Sequence, residues 1–292
     1  MNIKEIKVSE SRRIINQLKR TKNKAQIEIL FERLLTSYTY QTSFVSEGQL
    51  LYRLVKVSEK GNLPEDFSYP PEGFRFKGRC NDDDVPVFYG ANSTTACLNE
   101  QKGMKVGDQF RLGTWKVNNK LHTRDFTKKS IIDNVKSRYI DKFINHVFTS
   151  LGNDCYQHSI VLSEMMFNMK IINDDENVGS VKAIQYPSTI PTTKYNELIN
   201  LAIAADFSEK HLELVRCFHG EITQVKESGY DVKTLYSCMD VKNAQIRWVK
   251  NGYYEVSNSS IIFHQSDNGL QAYDEQGKPV EPVNDSTGLI QR

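Results

Sequence analysis

The run Val85-Pro86-Val87-Phe88-Tyr89-Gly90-Ala91-Asn92-Ser93-Thr94-Thr95-Ala96-Cys97-Leu98-Asn99-Glu100 decides the fold class. Val85–Tyr89 is a short apolar segment that reads as a strand. Ser93 then offers a side-chain oxygen to the unpaired N–H groups of a first helical turn, so 93–100 reads as a helix capped by Ser93. The segments on either side do not repeat this strand-to-helix order. Upstream, Leu50–Val57 is strand-like, and Gly61–Gly73 is a loop rich in Gly and Pro. Downstream, residues 107–118 return to strand. Ile131, Val135, Tyr139, Phe143, Val147 and Leu151 recur every four residues and predict a helix over 130–151. A second helix is expected over 156–168, followed by strands at Val181–Pro187, Asn200–Ala204 and Leu212–Phe218. Strands and helices mixed without regular βαβ alternation predict an α+β fold with mixed or antiparallel sheets flanked by helices.

The two ends differ from this body. Residues 1–47 read as an N-terminal helical arm. Two short helices lie within 9–38, with Ser9 or Ser11 capping the first and a polar break at Thr21-Lys22-Asn23. Ile27, Leu30, Phe31, Leu34 and Leu35 fall at helical spacing in the second. Residues 48–250 form the main domain. In 251–292, Asp267-Asn268-Gly269 suits a tight hairpin turn, and the polar tail beyond Asp274 is expected to be loosely held.

Bulk chemistry excludes several classes. Lys+Arg 38 against Asp+Glu 36 leaves a net charge of +2, too small to suggest nucleic-acid binding. The basic cluster Arg12, Arg13, Lys19, Arg20, Lys22, Lys24 reads as the wet face of helices. The five cysteines are scattered, odd in number and never spaced C-x-x-C, which suits free thiols in a reducing cytoplasm. The first residues carry no apolar signal region. No apolar run reaches the roughly 18–20 residues needed to cross a bilayer, so no membrane partner is expected.

Motifs of common catalytic sites are missing: no P-loop, no G-x-G-x-x-G, no G-x-S-x-G and no H-E-x-x-H. Asp82-Asp83-Asp84 lacks cation-loop spacing and reads as a charged loop. His146, Cys155 and His158 lack the spacing and fourth ligand of a zinc site, so no metal is expected. Cys217 and His219, alternating with Phe218, are expected on one side of a sheet. What remains is a set of polar residues near the ends of apolar strands: Arg53, Arg79 with Asn81, Tyr89, Glu100 and Ser188.

Taken in order, Tyr52-Arg53, Gly78-Arg79-x-Asn81, Pro86-Val87-Phe88-Tyr89-Gly90-Ala91-x-Ser93-x-x-Ala96-x-x-x-Glu100, Tyr186-Pro187-Ser188 and Asn200-Leu201-Ala202 resemble the RES domain. That family is named for an Arg, a Glu and a Ser, matched here by Arg53, Glu100 and Ser188. The resemblance covers roughly residues 48–220. It implies an ADP-ribosyltransferase-like RES fold over 48–250 and cleavage of NAD+ as substrate. It also implies a toxin role with an Xre-type antitoxin as partner; self-association stays open.

The residue types suit that chemistry. Breaking the nicotinamide–ribose bond leaves a cationic sugar, which a carboxylate, here Glu100, can stabilise. A diphosphate calls for the permanently charged planar fork of arginine, offered by Arg53 and Arg79. Tyr89 offers a ring to the nicotinamide end, and Asn81 and Ser188 offer hydrogen bonds to the dinucleotide. The acceptor, water or phosphate, is left open. Two further readings stand beside this one. The first is mono-ADP-ribosyl transfer to a protein. The second is a non-catalytic binding protein on the same fold, suggested by Leu54 where the family often carries an aromatic.

Overall fold

A computed structural model describes residues 6–36, 38–57, 61–101, 103–150, 156–168, 181–188, 198–226, 229–239, 241, 245–250, 262–266, 269–273 and 279–280. They belong to two compact units, Met1–Val249 and Lys250–Arg292.

The first unit begins with helices α1 (Val8–Leu18) and α2 (Lys24–Leu35), then strands β1 (Thr42–Val45) and β2 (Leu50–Lys56). A 3-10 turn at Pro64–Phe67 interrupts the following loop. Next come β3 (Val87–Ala91), α3 (Thr94–Glu100), β4 (Gln109–Val117), β5 (Leu121–Asp125), α4 (Val135–Thr149) and α5 (Tyr156–Asn168). The unit closes with β6 (Ala183–Pro187), β7 (Ile199–Ala204), α6 (Ala205–His211), β8 (Leu212–Lys226) and β9 (Gly229–Cys238). These strands form one mixed sheet in the order β1-β5-β6-β7-β3-β2-β4-β8-β9, with a two-residue strand β10 (Val249–Lys250) after β9. Only β5 and β6 run parallel; the other assigned pairs of the nine are antiparallel. Among the described residues the architecture of this unit is therefore mixed α/β, one mixed sheet with six α-helices.

One feature of the pairing shapes everything else. β2 is paired to β4 along its whole length, and β3 to β7 along its whole length. Between themselves β2 and β3 pair only at Tyr52↔Ala91. Beyond that point the two halves of the sheet separate. Because side chains alternate across a strand, Phe88, Leu201 and Ile203 enter a core with Leu51, Phe67, Trp115 and Leu214 that spans both halves. On the opposite face each half has its own core. Val87, Ile184, Tyr186 and Ala202 pack against α1, α2, α4 and α5. Leu54, Ala91, Leu112 and Phe110 pack under α3 with Ala96 and Cys97.

The helices expected within 1–47 pack against the body of the first unit. Ile14, Leu18, Ile27, Phe31 and Leu34 are buried in the same core as Phe143, Phe148 and Met166, and β1 joins the sheet beside β5. Neither Ser9 nor Ser11 caps α1; Lys7 occupies that position without a side-chain bond, and Ser11 is buried. The break residue Asn23 instead caps α2, accepting from Gln26 N at 3.0 Å. Helix α4 is shorter than 130–151, and its face is rotated. Each step of four residues turns about 40° past a full circle, so the series winds off the core and leaves Val135 and Tyr139 exposed; Ile131, also exposed, precedes the helix. The buried face is Lys136, Ser137, Ile140, Phe143, Ile144, Val147 and Phe148; Leu151 and Cys155 lie outside the described residues. Strands β1, β5 and β9 and helix α6 carry too many polar residues to show a period. Ser93 caps α3 as expected, accepting from Ala96 N at 3.1 Å.

In the second unit, β11 (Ile262–Ser266), β12 (Gly269–Tyr273) and β13 (Pro279–Val280) form an antiparallel sheet. Ser266 faces Gly269, leaving two connecting residues where the Asn-Gly turn is expected. The tail adds β13; the rest of it lies outside the described residues. Among those described, no helix is long and apolar enough to cross a membrane.

Phe148 is fully buried and stacks between Phe126, at 5.1 Å between centroids, and Tyr186, at 5.3 Å. Phe148→Ala is expected to cost the first unit about 3–5 kcal/mol, measured by chemical denaturation. A loss below about 1 kcal/mol would show that this stack is not part of a close-packed core.

Candidate functional site

Where the halves of the sheet part, a cleft of about 640 Å³ opens, within the usual range for small-molecule sites. One wall is β2 from Arg53 to Lys56, the other β3 from Tyr89 to Ala91. Glu100, Arg79, Tyr156, Tyr186 and Asn200 complete it.

Arg53 belongs by alternation to the Leu51 face, yet its side chain reaches the cleft. Its Nη1 donates to the Tyr89 carbonyl at 2.8 Å, an oxygen on the strand to which β2 is no longer paired. Its Nε donates to the Ser68 carbonyl at 2.7 Å, and the guanidinium lies 5.6 Å from the Phe88 ring centre. Burial lowers its pKa to about 10, which leaves it cationic at neutral pH. Arg79, also buried, donates to the Ser150 carbonyl at 3.1 Å and sits 5.1 Å from the Tyr156 ring centre. Neither arginine has a carboxylate partner among the described residues. Two buried cations held only by carbonyls and rings leave positive charge facing the cleft, and such a place favours an anion.

Tyr89 presents its ring to the cleft and buries its hydroxyl, which burial holds far above the ordinary tyrosine pKa. That hydroxyl donates to Asn81 Oδ1 at 2.6 Å and accepts from Cys80 N at 2.7 Å. Asn81 Nδ2 donates to the carbonyls of Phe76 and Asp82. Asn81 thus spends its amide inside the protein and does not border the cleft. Gly78 makes this packing possible: a Cβ there would lie 2.5 Å from the Tyr89 hydroxyl and 2.4 Å from Asn81 Oδ1.

Glu100 ends α3, and two donors converge on its Oε1. Asn200 Nδ2 donates at 3.0 Å, and the Ser188 hydroxyl donates through a short bond. Ser188 itself does not border the cleft; its backbone N donates to the Leu198 carbonyl at 3.1 Å, extending the β6–β7 ladder. The arrangement fixes a carboxylate on a cleft that two arginines also line. It can bind the anionic end of a ligand and present an oxygen to a developing positive charge elsewhere on the same molecule.

Four of the six residues expected from sequence therefore share the cleft: Arg53, Arg79, Tyr89 and Glu100. Ser188 acts on Glu100, and Asn81 acts on Tyr89. Tyr156, Tyr186 and Asn200 are cleft residues not expected as such. The signal for Asn200 is a single amide within an otherwise apolar strand, and it is buried there. Of the clusters set aside, Asp82 and His158 have partners inside the protein. Asp82 pairs with Lys77 at 3.3 Å and Lys24 at 3.5 Å. His158 lies 2.7 Å from the Leu18 carbonyl at the end of α1. No group of three metal-binding side chains occurs among the described residues. No family model, curated protein or solved structure matches the chain.

Asn81→Ala and Tyr89→Phe each leave a buried group without its partner and are expected to cost about 1–3 kcal/mol. Because they break the same bond, a double-mutant cycle read by denaturation should give a coupling of about 0.5–3 kcal/mol. Additive losses would mean that the bond between the Tyr89 hydroxyl and Asn81 contributes nothing.

Proposed function

We propose that the cleft binds NAD+ and breaks its nicotinamide–ribose bond, on a fold of the RES, ADP-ribosyltransferase-like type. The observation that carries the proposal is that Glu100 and two arginines without a carboxylate partner among the described residues, far apart in the chain, border one cleft. The ordered resemblance of residues 48–220 supplies the substrate class. Arg53 and Arg79 would hold the diphosphate, and the Tyr89 ring would flank the nicotinamide end. As the C1′–N bond breaks, its electron pair neutralises the pyridinium and C1′ becomes oxocarbenium-like. Glu100, fixed by Asn200 and Ser188, stabilises that cation. Water or phosphate then bonds to C1′ and gives up a proton. In a cell such an activity would deplete NAD+ and act as a toxin, with an Xre-type antitoxin as its partner.

The test is to incubate the purified chain with NAD+, with and without phosphate, and identify the products. Nicotinamide is expected with ADP-ribose, or with its 1″-phosphate if phosphate is the acceptor. Glu100→Gln should lower turnover about 10²–10³-fold, and Arg53→Lys should raise KM by removing the planar fork. Undiminished NAD+ loss by Glu100→Gln would overturn the mechanism. Transfer of labelled ADP-ribose onto a protein would replace hydrolysis or phosphorolysis by mono-ADP-ribosylation, and absence of nicotinamide release would leave a binding protein.

A further inference from the structure

Cys217 on β8 and Cys238 on β9 face each other directly across the two strands. Opposed residues of an antiparallel pair emerge on one face with Cα atoms about 4.5–5.5 Å apart. That spacing lies inside the roughly 4.4–6.8 Å over which a disulfide closes without backbone movement. Both side chains are buried, at 0% and 3% exposure, and their thiols share a hydrogen bond. The other described thiols are placed differently. Cys97 donates to the Tyr52 carbonyl at 3.0 Å, and Cys80 lies beside Ser163. The pair also belongs to a longer row. Arg53 faces Gly113, and Gly113 faces Cys217, so Arg53, Gly113, Cys217 and Cys238 form one line across four strands.

We propose that Cys217 and Cys238 are a reversible disulfide site, closed by exchange with a small disulfide such as glutathione disulfide. One cysteine loses its proton, and its thiolate attacks a sulfur of the small disulfide, expelling one glutathione thiolate. The second cysteine, deprotonated in turn, attacks the protein sulfur of the mixed disulfide. The protein S–S bond forms and the second glutathione leaves. Two protein thiols are oxidised, and one glutathione disulfide is reduced to two thiols.

Burial, with the neighbouring Cys238 thiol, holds the Cys217 pKa high, so closure is slow at neutral pH and faster in mild alkali. Cys238 is the point of entry, since it ends β9 and the next residue, Met239, is 50% exposed. Closing the bond fastens the end of β9 where the chain turns over the sheet. Val241 N donates there to the Val215 carbonyl at 3.1 Å. Trp248 packs on Phe67 and donates to the Gly61 carbonyl at 2.7 Å. The next residue after Phe67 is Ser68, whose carbonyl holds Arg53. The disulfide would therefore brace the flank of the sheet behind Arg53, whatever ligand the cleft takes.

The intact chain is to be incubated with glutathione disulfide at alkaline pH, then denatured, alkylated and digested without reductant. Two of its five cysteines are expected to escape alkylation, with one linked peptide pair joining Cys217 to Cys238. Dithiothreitol should reverse the link, and the oxidised chain should show a Tm higher by a few degrees. Five alkylated cysteines, a lasting glutathione adduct or a link between any other pair would overturn the proposal. An unchanged Tm would overturn the bracing role. Cys217→Ser and Cys238→Ser should each abolish the link; if either fails to fold, the map of the unsubstituted chain decides alone.

Discussion

The bond from the Arg53 guanidinium to the Tyr89 carbonyl spans the place where β2 and β3 cease to pair. Parting two strands inside a sheet exposes backbone groups that must find other partners or lose stability. Arg53 takes over one such oxygen and, with Nε, a second from the loop at Ser68. The cleft is thus the opening of the sheet itself, held apart by a side chain long enough to cross it. Because the crossing group is a cation, the same contact that stabilises the opening charges its wall.

The carboxylate opposite is positioned by a different route. Ser93 starts α3 at a defined residue, and the helix ends at Glu100. The Glu100 carboxylate is then fixed by donors from the ends of β6 and β7, Ser188 and Asn200. On the tyrosine side, Gly78, Asn81 and Cys80 N hold the Tyr89 hydroxyl below the cleft, so that its ring stands at the wall. Arg53, Arg79, Tyr89 and Glu100 therefore each have a supporting contact from another part of the chain. This is what a site needs if it is to bind without reorganising.

Much of this was legible in the chain before any coordinates. Ser93 and the apolar run before it located β3 and α3, and the strand-like run at Leu50 located β2. Arg53, Arg79, Tyr89 and Glu100 were singled out by their polar character beside apolar strands, together with an ordered resemblance. Asn81 and Ser188 are expected from sequence to bond a ligand directly, and neither borders the cleft. Their amide and hydroxyl are engaged by neighbours whose proximity no local pattern records. The strands β1, β5 and β9 show no clear apolar alternation, since polar side chains such as Ser43 and Asp125 stand among their few core residues and bond to each other.

Local physics determined where some elements start and stop, as at the Ser93 cap of α3 and the apolar runs of β2 and β3, because capping oxygens, apolar runs, proline and Asn-Gly turns act within a few residues. Only the tertiary structure decided which side of α4 is buried, that α1 and α2 belong to the main core, and where the sheet parts. It alone set Cys217 opposite Cys238. Those outcomes depend on register and on contacts between residues distant in the chain, and a periodic pattern in one segment carries no information about the segment it will meet.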